Sequence, residues 1–211
     1  MKKRSYNRRT KPTALPPETA RRQFFDTSSR KKKIIVFIDG SNWYHKLKAL
    51  LGTPPPIEYD VKNFAKGLAK DETVSEIRYY IGRIRRIQGD EKSELLYSNQ
   101  QKLLRFLQKQ KVKIGLGHLI SYPDGSFHEK GVDILIAVEM MRCVIEKKCD
   151  TLYLVSSDTD LVPAVDECRR LGAEVVYVGS SSHGPSFGLK KACNRSILLR
   201  SEDVLPFIPK K

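Results

Sequence analysis

The sequence predicts an α/β protein with a central, mainly parallel sheet of five or six strands and helices on both faces. Three observations predict it. Short β-branched runs alternate with longer helical stretches along the chain. The first run, Ile34-Ile35-Val36-Phe37-Ile38, is apolar at every position, as a strand covered on both faces must be. The stretch from Val132 to Glu146 is helical yet apolar on nearly every side, so it too needs cover.

In chain order, the first strand stops at Asp39-Gly40, and a helix follows from about Ser41 to Leu51 before the breaker Thr53-Pro54-Pro55-Pro56. Asp60 opens a short helix to Ala69, with Val61, Phe64, Ala65 and Leu68 on one face. Val74 to Ile81 reads as the second strand and Gly82 to Glu91 as a basic, turn-rich link. Ser93 to Gln110 is helical, because Leu95, Leu96, Leu103, Phe106 and Leu107 recur at helical spacing. Val112 to Leu116 is the third strand, and Ser121 to Gly131 a loop carrying the turn Pro123-Asp124-Gly125. After the apolar helix come a strand at Thr151–Val155, a helix from Asp160 to Leu171 ended by Gly172, and a strand at Glu174–Val178. Residues 179–185 form a loop, and 186–205 hold a last helix and a short extended piece. The first helix must cover the sheet, so Trp43 and Tyr44 are expected to pack rather than to serve as base platforms.

The chain has 211 residues, enough for one domain with an appendage. With 40% hydrophobic and 30% charged residues it is not disordered throughout. The net charge of +15 is uneven. Residues 1–33 hold 12 basic residues against Glu18 and Asp26, whereas residues 34–211 hold 27 against 22. We expect a disordered basic arm over 1–33, a domain over 34–205 and a short tail over 206–211. Such an arm either attracts phosphate backbones or serves as a solvated tail. No apolar run reaches the roughly 18–20 residues of a membrane helix, and the first residues lack the apolar core of a signal peptide. The four cysteines show no CxxC spacing. They read as reduced, half-buried thiols of a cytoplasmic protein, with neither a disulfide frame nor a zinc site.

Ligands of open parallel sheets sit beyond the carboxyl ends of the strands. Asp39 lies one residue past the first strand, Asp158 three past the fourth, and Asp160 opens the next helix. Asp133 lies in the first turn of the apolar helix. If the first and fourth strands are neighbours, these acids meet on one edge, where a divalent cation relieves their repulsion. Oxygen donors without nearby Cys or His select Mg²⁺ or Mn²⁺. Each acid also has a plainer role, as turn residue, helix-dipole partner or cap. Asn42, three residues after Asp39, faces the same side and suits orientation of a water or phosphate oxygen. Ser157 and Thr159 offer hydroxyls beside N–H groups at a helix start, an anion cradle, and Lys130 suits a phosphate contact. Arg78-Tyr79-Tyr80 and Arg83-Ile84-Arg85-Arg86 suit a single strand through phosphate contacts and base stacking, or else pack and solvate.

Ile38-Asp39-Gly40-Ser41-Asn42, Lys130-Gly131-Val132-Asp133 and Val155-Ser156-Ser157-Asp158-Thr159-Asp160-Leu161-Val162-Pro163 closely resemble the NYN domain family, nearest its LabA-like or DUF88 branch. The resemblance spans about residues 34–205. It implies a PIN-like three-layer sandwich and an acidic site that binds Mg²⁺ or Mn²⁺ and cleaves RNA. By position, the family's acids match Asp39, Asp133, Asp158 and Asp160, all as metal ligands, and its asparagine matches Asn42. Ser157 stands where the family often has Gly, and Leu161 where it often has Phe; neither departure removes a carboxylate.

The expected activity is therefore metal-assisted hydrolysis of RNA phosphodiesters, by one ion or two. The substrate is single-stranded RNA, with Lys130, Ser157, Thr159, Arg78, Arg83, Arg85 and Arg86 as its contacts. A homodimer is compatible with the sequence, and a membrane role is not expected. The competing reading is a non-catalytic RNA-binding or regulatory module. An aspartyl phosphatase is disfavoured, because Ser41 breaks the Asp-x-Asp pattern, and no GxGxxG or GxxxxGK[ST] motif points to a nucleotide cofactor.

Overall fold

The computed structural model describes residues 32–70, 72–121, 127–182 and 184–209. Apart from Lys32 and Lys33, the basic arm lies outside them, as does the Pro123-Asp124-Gly125 turn. The strands are β1 (Ile34–Asp39), β2 (Val74–Arg83), β3 (Lys113–Ser121), β4 (Phe127–Lys130), β5 (Thr151–Val155), β6 (Glu174–Ser180) and β7 (Arg195–Leu199). The helices are α1 (Gly40–Leu51), α2 (Val61–Ala69), α3 (Glu91–Lys109), α4 (Val132–Ile145), α5 (Val162–Arg170), α6 (Phe187–Ala192) and α7 (Ser201–Val204). Short 3-10 turns stand at Thr159–Leu161 and Leu205–Phe207.

One sheet runs in the order β4-β3-β2-β1-β5-β6-β7. Every pairing in it is parallel except β3 with β4. It exceeds the expected five or six strands because the segment read as a loop, Ser121–Gly131, contains β4. Four residues that return along β3 make too short an edge strand to be legible as a periodic pattern. The extended piece near the end of the chain is β7.

β1 lies at the centre and is buried along its whole length. Its alternation divides the core. Ile34, Val36 and Ile38 face α1, α2, α3 and α7, where Trp43, Phe64, Leu107 and Val204 pack. Ile35 and Phe37 face α4, α5 and α6, where Ile136, Met140, Val165 and Leu189 pack. These are the two covered faces that an all-apolar strand requires. β1 pairs with β5, as a metal site between strands one and four required.

The described residues close on this core at both ends. The backbone N–H of Lys33 donates to Asp150 Oδ2 at 2.7 Å, and the Lys33 carbonyl accepts from the N–H groups of Asp150 and Thr151. Phe207 packs its ring against Tyr59 and Phe64. The four cysteines are free and buried, more so than expected. Burial pushes the thiols of Cys149, Cys168 and Cys193 up to about 12 and raises Cys143 as well. Such thiols are protonated and inert. No helix among the described residues is long and apolar enough to cross a membrane.

Candidate active site at the carboxyl edge of the sheet

Asp39 ends β1, is 5% exposed, and shares the alternation of Ile35 and Phe37, so it stands on the α4–α5 face. It caps α1: Oδ1 accepts the N–H of Asn42 at 3.1 Å. Its other oxygen, Oδ2, accepts the hydroxyl of Ser156 at 2.9 Å, and the same Ser156 Oγ accepts the N–H of Asp158 at 3.1 Å. Asp158 caps the next turn, accepting the N–H of Asp160 at 2.9 Å. Asn42 reaches the same loop, its Oδ1 accepting the N–H of Ser157 at 3.1 Å. The ends of β1 and β5 are thus sewn together by these side chains.

The close approach depends on glycine. A Cβ on Gly40 would stand 2.3 Å from the Tyr79 ring and 2.7 Å from the Tyr80 carbonyl. Gly117 does the same for α4: a Cβ there would stand 2.5 Å from Val132, so the bare backbone lets the start of α4, with Asp133, lie on β3. α4 also packs against the Thr159–Leu161 turn. Asp133 is half-buried, Asp158 half-buried and Asp160 exposed. Asp39, Asp158 and Asp160 therefore stand where β1 and β5 end, and Asp133 opens the helix that packs beside the Thr159–Leu161 turn. Among the described residues, however, no three His, Cys, Asp or Glu side chains converge into a ready-made cation site.

Other expected contacts land differently. The N–H groups of Ser157, Asp158 and Asp160 are already bound by Asn42, Ser156 and Asp158, so the anion cradle is filled by the chain's own oxygens. The Ser157 hydroxyl lies 3.2 Å from that of Tyr177, and Thr159 is exposed. Arg78 pairs with Phe37, before the strand ends, and its guanidinium bonds Glu76 and, at 2.7 Å, Glu139. It also lies over the Phe37 ring, and its side chain is only 11% exposed, so its charge is spent inside the fold. Tyr79 and Tyr80 are buried, the latter donating to Glu139 at 2.6 Å, so neither presents an exposed ring on the surface. Arg83, the last residue of β2, and Arg85, just past it, are by contrast exposed; Arg86 is exposed too and pairs with Glu94 at 3.1 Å. The link that carries them is held by buried Gln100, which donates to the Gly82 carbonyl and accepts the Ile84 N–H. Lys130 is exposed at the end of β4.

Three residues of the edge escaped sequence reasoning. Ser156 joins the two acidic loops, and its only signal was its place between a strand and Asp158. Tyr177 on β6 accepts the Ser186 N–H at 2.9 Å, fixing the loop after β6 beside Ser157. Lys46, one helical turn beyond Asn42, donates to the Gly184 carbonyl at 2.8 Å, and burial lowers its pKa. The spacing from Asn42 was available to reveal it.

The model of the NYN domain family matches residues 33–200. Among solved structures, a Vibrio parahaemolyticus protein of unknown function is similar at 19% identity and a TM-score of 0.60, covering 84% of this chain and 98% of its own; it shares the fold. A pyrazinamidase/nicotinamidase from Streptococcus mutans is similar at 15% identity over 82% of this chain and 91% of its own, but with a TM-score of 0.32. No curated protein matches.

Proposed function

This chain belongs to the NYN domain family, and from that premise we propose that it is a Mg²⁺- or Mn²⁺-dependent ribonuclease acting on single-stranded RNA at the edge where β1 and β5 end. The observation that carries this reading is the chain of hydrogen bonds from Asp158 through Ser156 to Asp39, which draws the loops of two carboxylates together in an otherwise basic protein.

The donor set fits a hard cation. It consists of carboxylate oxygens, and the four buried cysteines take no part. Mg²⁺ keeps several waters and is commonly held by one or two carboxylates together with substrate phosphates, so a three-acid cage is not required. Asp39 and Asp158 would hold it, with Asp133 and Asp160 on its flanks. When bound, the ion supplies an acidified water and a counter-charge for the phosphorus centre. The protein's own share is positioning. Asn42 and Ser156 lock the Asp39 carboxylate in one orientation, and Arg83 and Arg85 hold phosphates upstream or downstream of the cut. The buried thiols fit a cytoplasmic setting, and within the family we place the chain in the LabA-like branch.

RNA decay with Mn²⁺ tests the reading. Wild type should cleave and lose activity in EDTA, while Asp39→Asn and Asp158→Asn should cleave at least about a hundred-fold more slowly. Equal decay by all three, or none by wild type, rejects it. The lack of three converging acids among the described residues favours a second reading, RNA binding without cleavage. Binding that persists in an inactive wild type establishes that one instead.

A further inference from the structure

On the opposite face of the sheet from Asp39, a cavity of about 470 Å³ opens between α1, α3 and the proline loop before α2. Its wall includes Trp43, Tyr44, Pro55, Pro56, Tyr59 and Ile84. That volume lies in the range of small-ligand pockets and far exceeds the roughly 30 Å³ share of one water molecule. Two polar atoms of its wall residues, Trp43 Nε1 and the Tyr59 hydroxyl oxygen, are buried without any hydrogen-bond partner. A buried polar group left unpaired is costly. The wall of this cavity is therefore aromatic and short of polar partners, which suits a ligand with flat apolar faces.

The position narrows the ligand. Asn42 and Trp43 are consecutive on α1, the first turned to the acidic edge and the second to the cavity. Ile84, in the wall, lies between exposed Arg83 and Arg85. A strand whose phosphates followed those arginines would pass the mouth of the cavity. Tyr44, which the sequence assigned to packing, is 41% exposed at the rim and offers a ring face.

We propose that this cavity receives one unstacked nucleobase of the bound RNA, making it a base-reading subsite beside the acidic edge. The proposal rests on the RNA reading above and deepens it. Stacking on the aromatic wall supplies affinity.

Trp43 is the only tryptophan of the chain, so the full-length protein carries its own reporter. In EDTA, which removes cleavage from the measurement, the protein is titrated with a short single-stranded oligoadenylate and with an abasic ribose-phosphate strand of equal charge. Binding is followed by anisotropy and occupancy by Trp43 emission. The intact strand should change Trp43 emission and bind at least about ten-fold more tightly than the abasic strand. Tyr44→Ala should weaken the intact strand and leave the abasic strand unchanged. Equal binding of both strands, or binding with no change in Trp43 emission, overturns the subsite alone. Absence of binding by either strand overturns the RNA reading with it.

Discussion

The side-chain oxygen of Asn42 accepts the backbone N–H of Ser157 at 3.1 Å, and so ties the first turn of α1 to the loop after β5. Asn42 is thereby a positioning residue for both carboxylates: its own N–H holds Asp39, and its side chain holds the loop that presents Asp158. Asn42→Ala leaves the Ser157 N–H without its partner. It should cost about 1–3 kcal/mol in urea unfolding and slow RNA decay. Asn42→Asp keeps an acceptor there and should restore part of the stability. If the alanine variant unfolds at the wild-type midpoint, the tie contributes nothing.

Gly40 should not tolerate even a methyl group. Its added Cβ would meet a buried tyrosine ring and a backbone carbonyl, neither of which can yield easily. Gly40→Ala should destabilise by about 1–3 kcal/mol, the usual range for overpacking. Displacement of the Asp39 loop would follow, and RNA decay should fall with it. A wild-type melting midpoint would show that the loop shifts freely.

Stability should fall in acid through two glutamates. Burial alone would raise the carboxyl of Glu76, but hydrogen bonds from Lys113 and Arg78 outweigh it and hold the group below its ordinary range. Burial likewise opposes, and Arg195 and Lys32 overcome, at Glu174. A carboxylate whose pKa is lowered by folding stabilises the fold above its unfolded pKa, about 4.3 for Glu. That stabilisation disappears as pH falls through the lowered, folded value. Urea midpoints measured from about pH 5 to pH 3 should therefore decline, and Glu76→Gln with Glu174→Gln should flatten the decline. An unchanged slope in the double variant would assign the acid sensitivity to other groups.

The strands around β1 were legible because burial on both faces writes an unbroken apolar run, and the places of Asp39 and Asp158 at strand ends were legible because those ends are marked by the runs that precede them. β4 was not legible, since four residues carry too little periodicity to compete with a neighbouring turn signature. Arg78 was misplaced for another reason. Sequence shows a cation near Tyr79 and Tyr80 but not which face of the strand it occupies, and Glu139, its partner at 2.7 Å, lies 61 residues away. Ser156 and Tyr177 were silent because their roles are hydrogen bonds between segments distant in sequence.

The basic arm yields the last prediction, and the structure says where to cut. Residues 1–31 carry ten basic residues against Glu18 and Asp26, whereas Lys32 and Lys33 are already engaged by the domain. Removing residues 1–31 should weaken RNA binding and flatten its salt dependence, because each phosphate no longer neutralised removes about 0.7 from the log–log slope on a single strand. The urea midpoint should not move. Cutting after Lys33 instead removes the carbonyl that accepts from Asp150 and Thr151 and the N–H that Asp150 Oδ2 binds, so that variant should also lose stability. Anisotropy at several salt concentrations, run beside urea unfolding, separates the two effects. A salt slope that survives the shorter cut would move RNA attraction from the arm to Arg83, Arg85 and their neighbours on the domain.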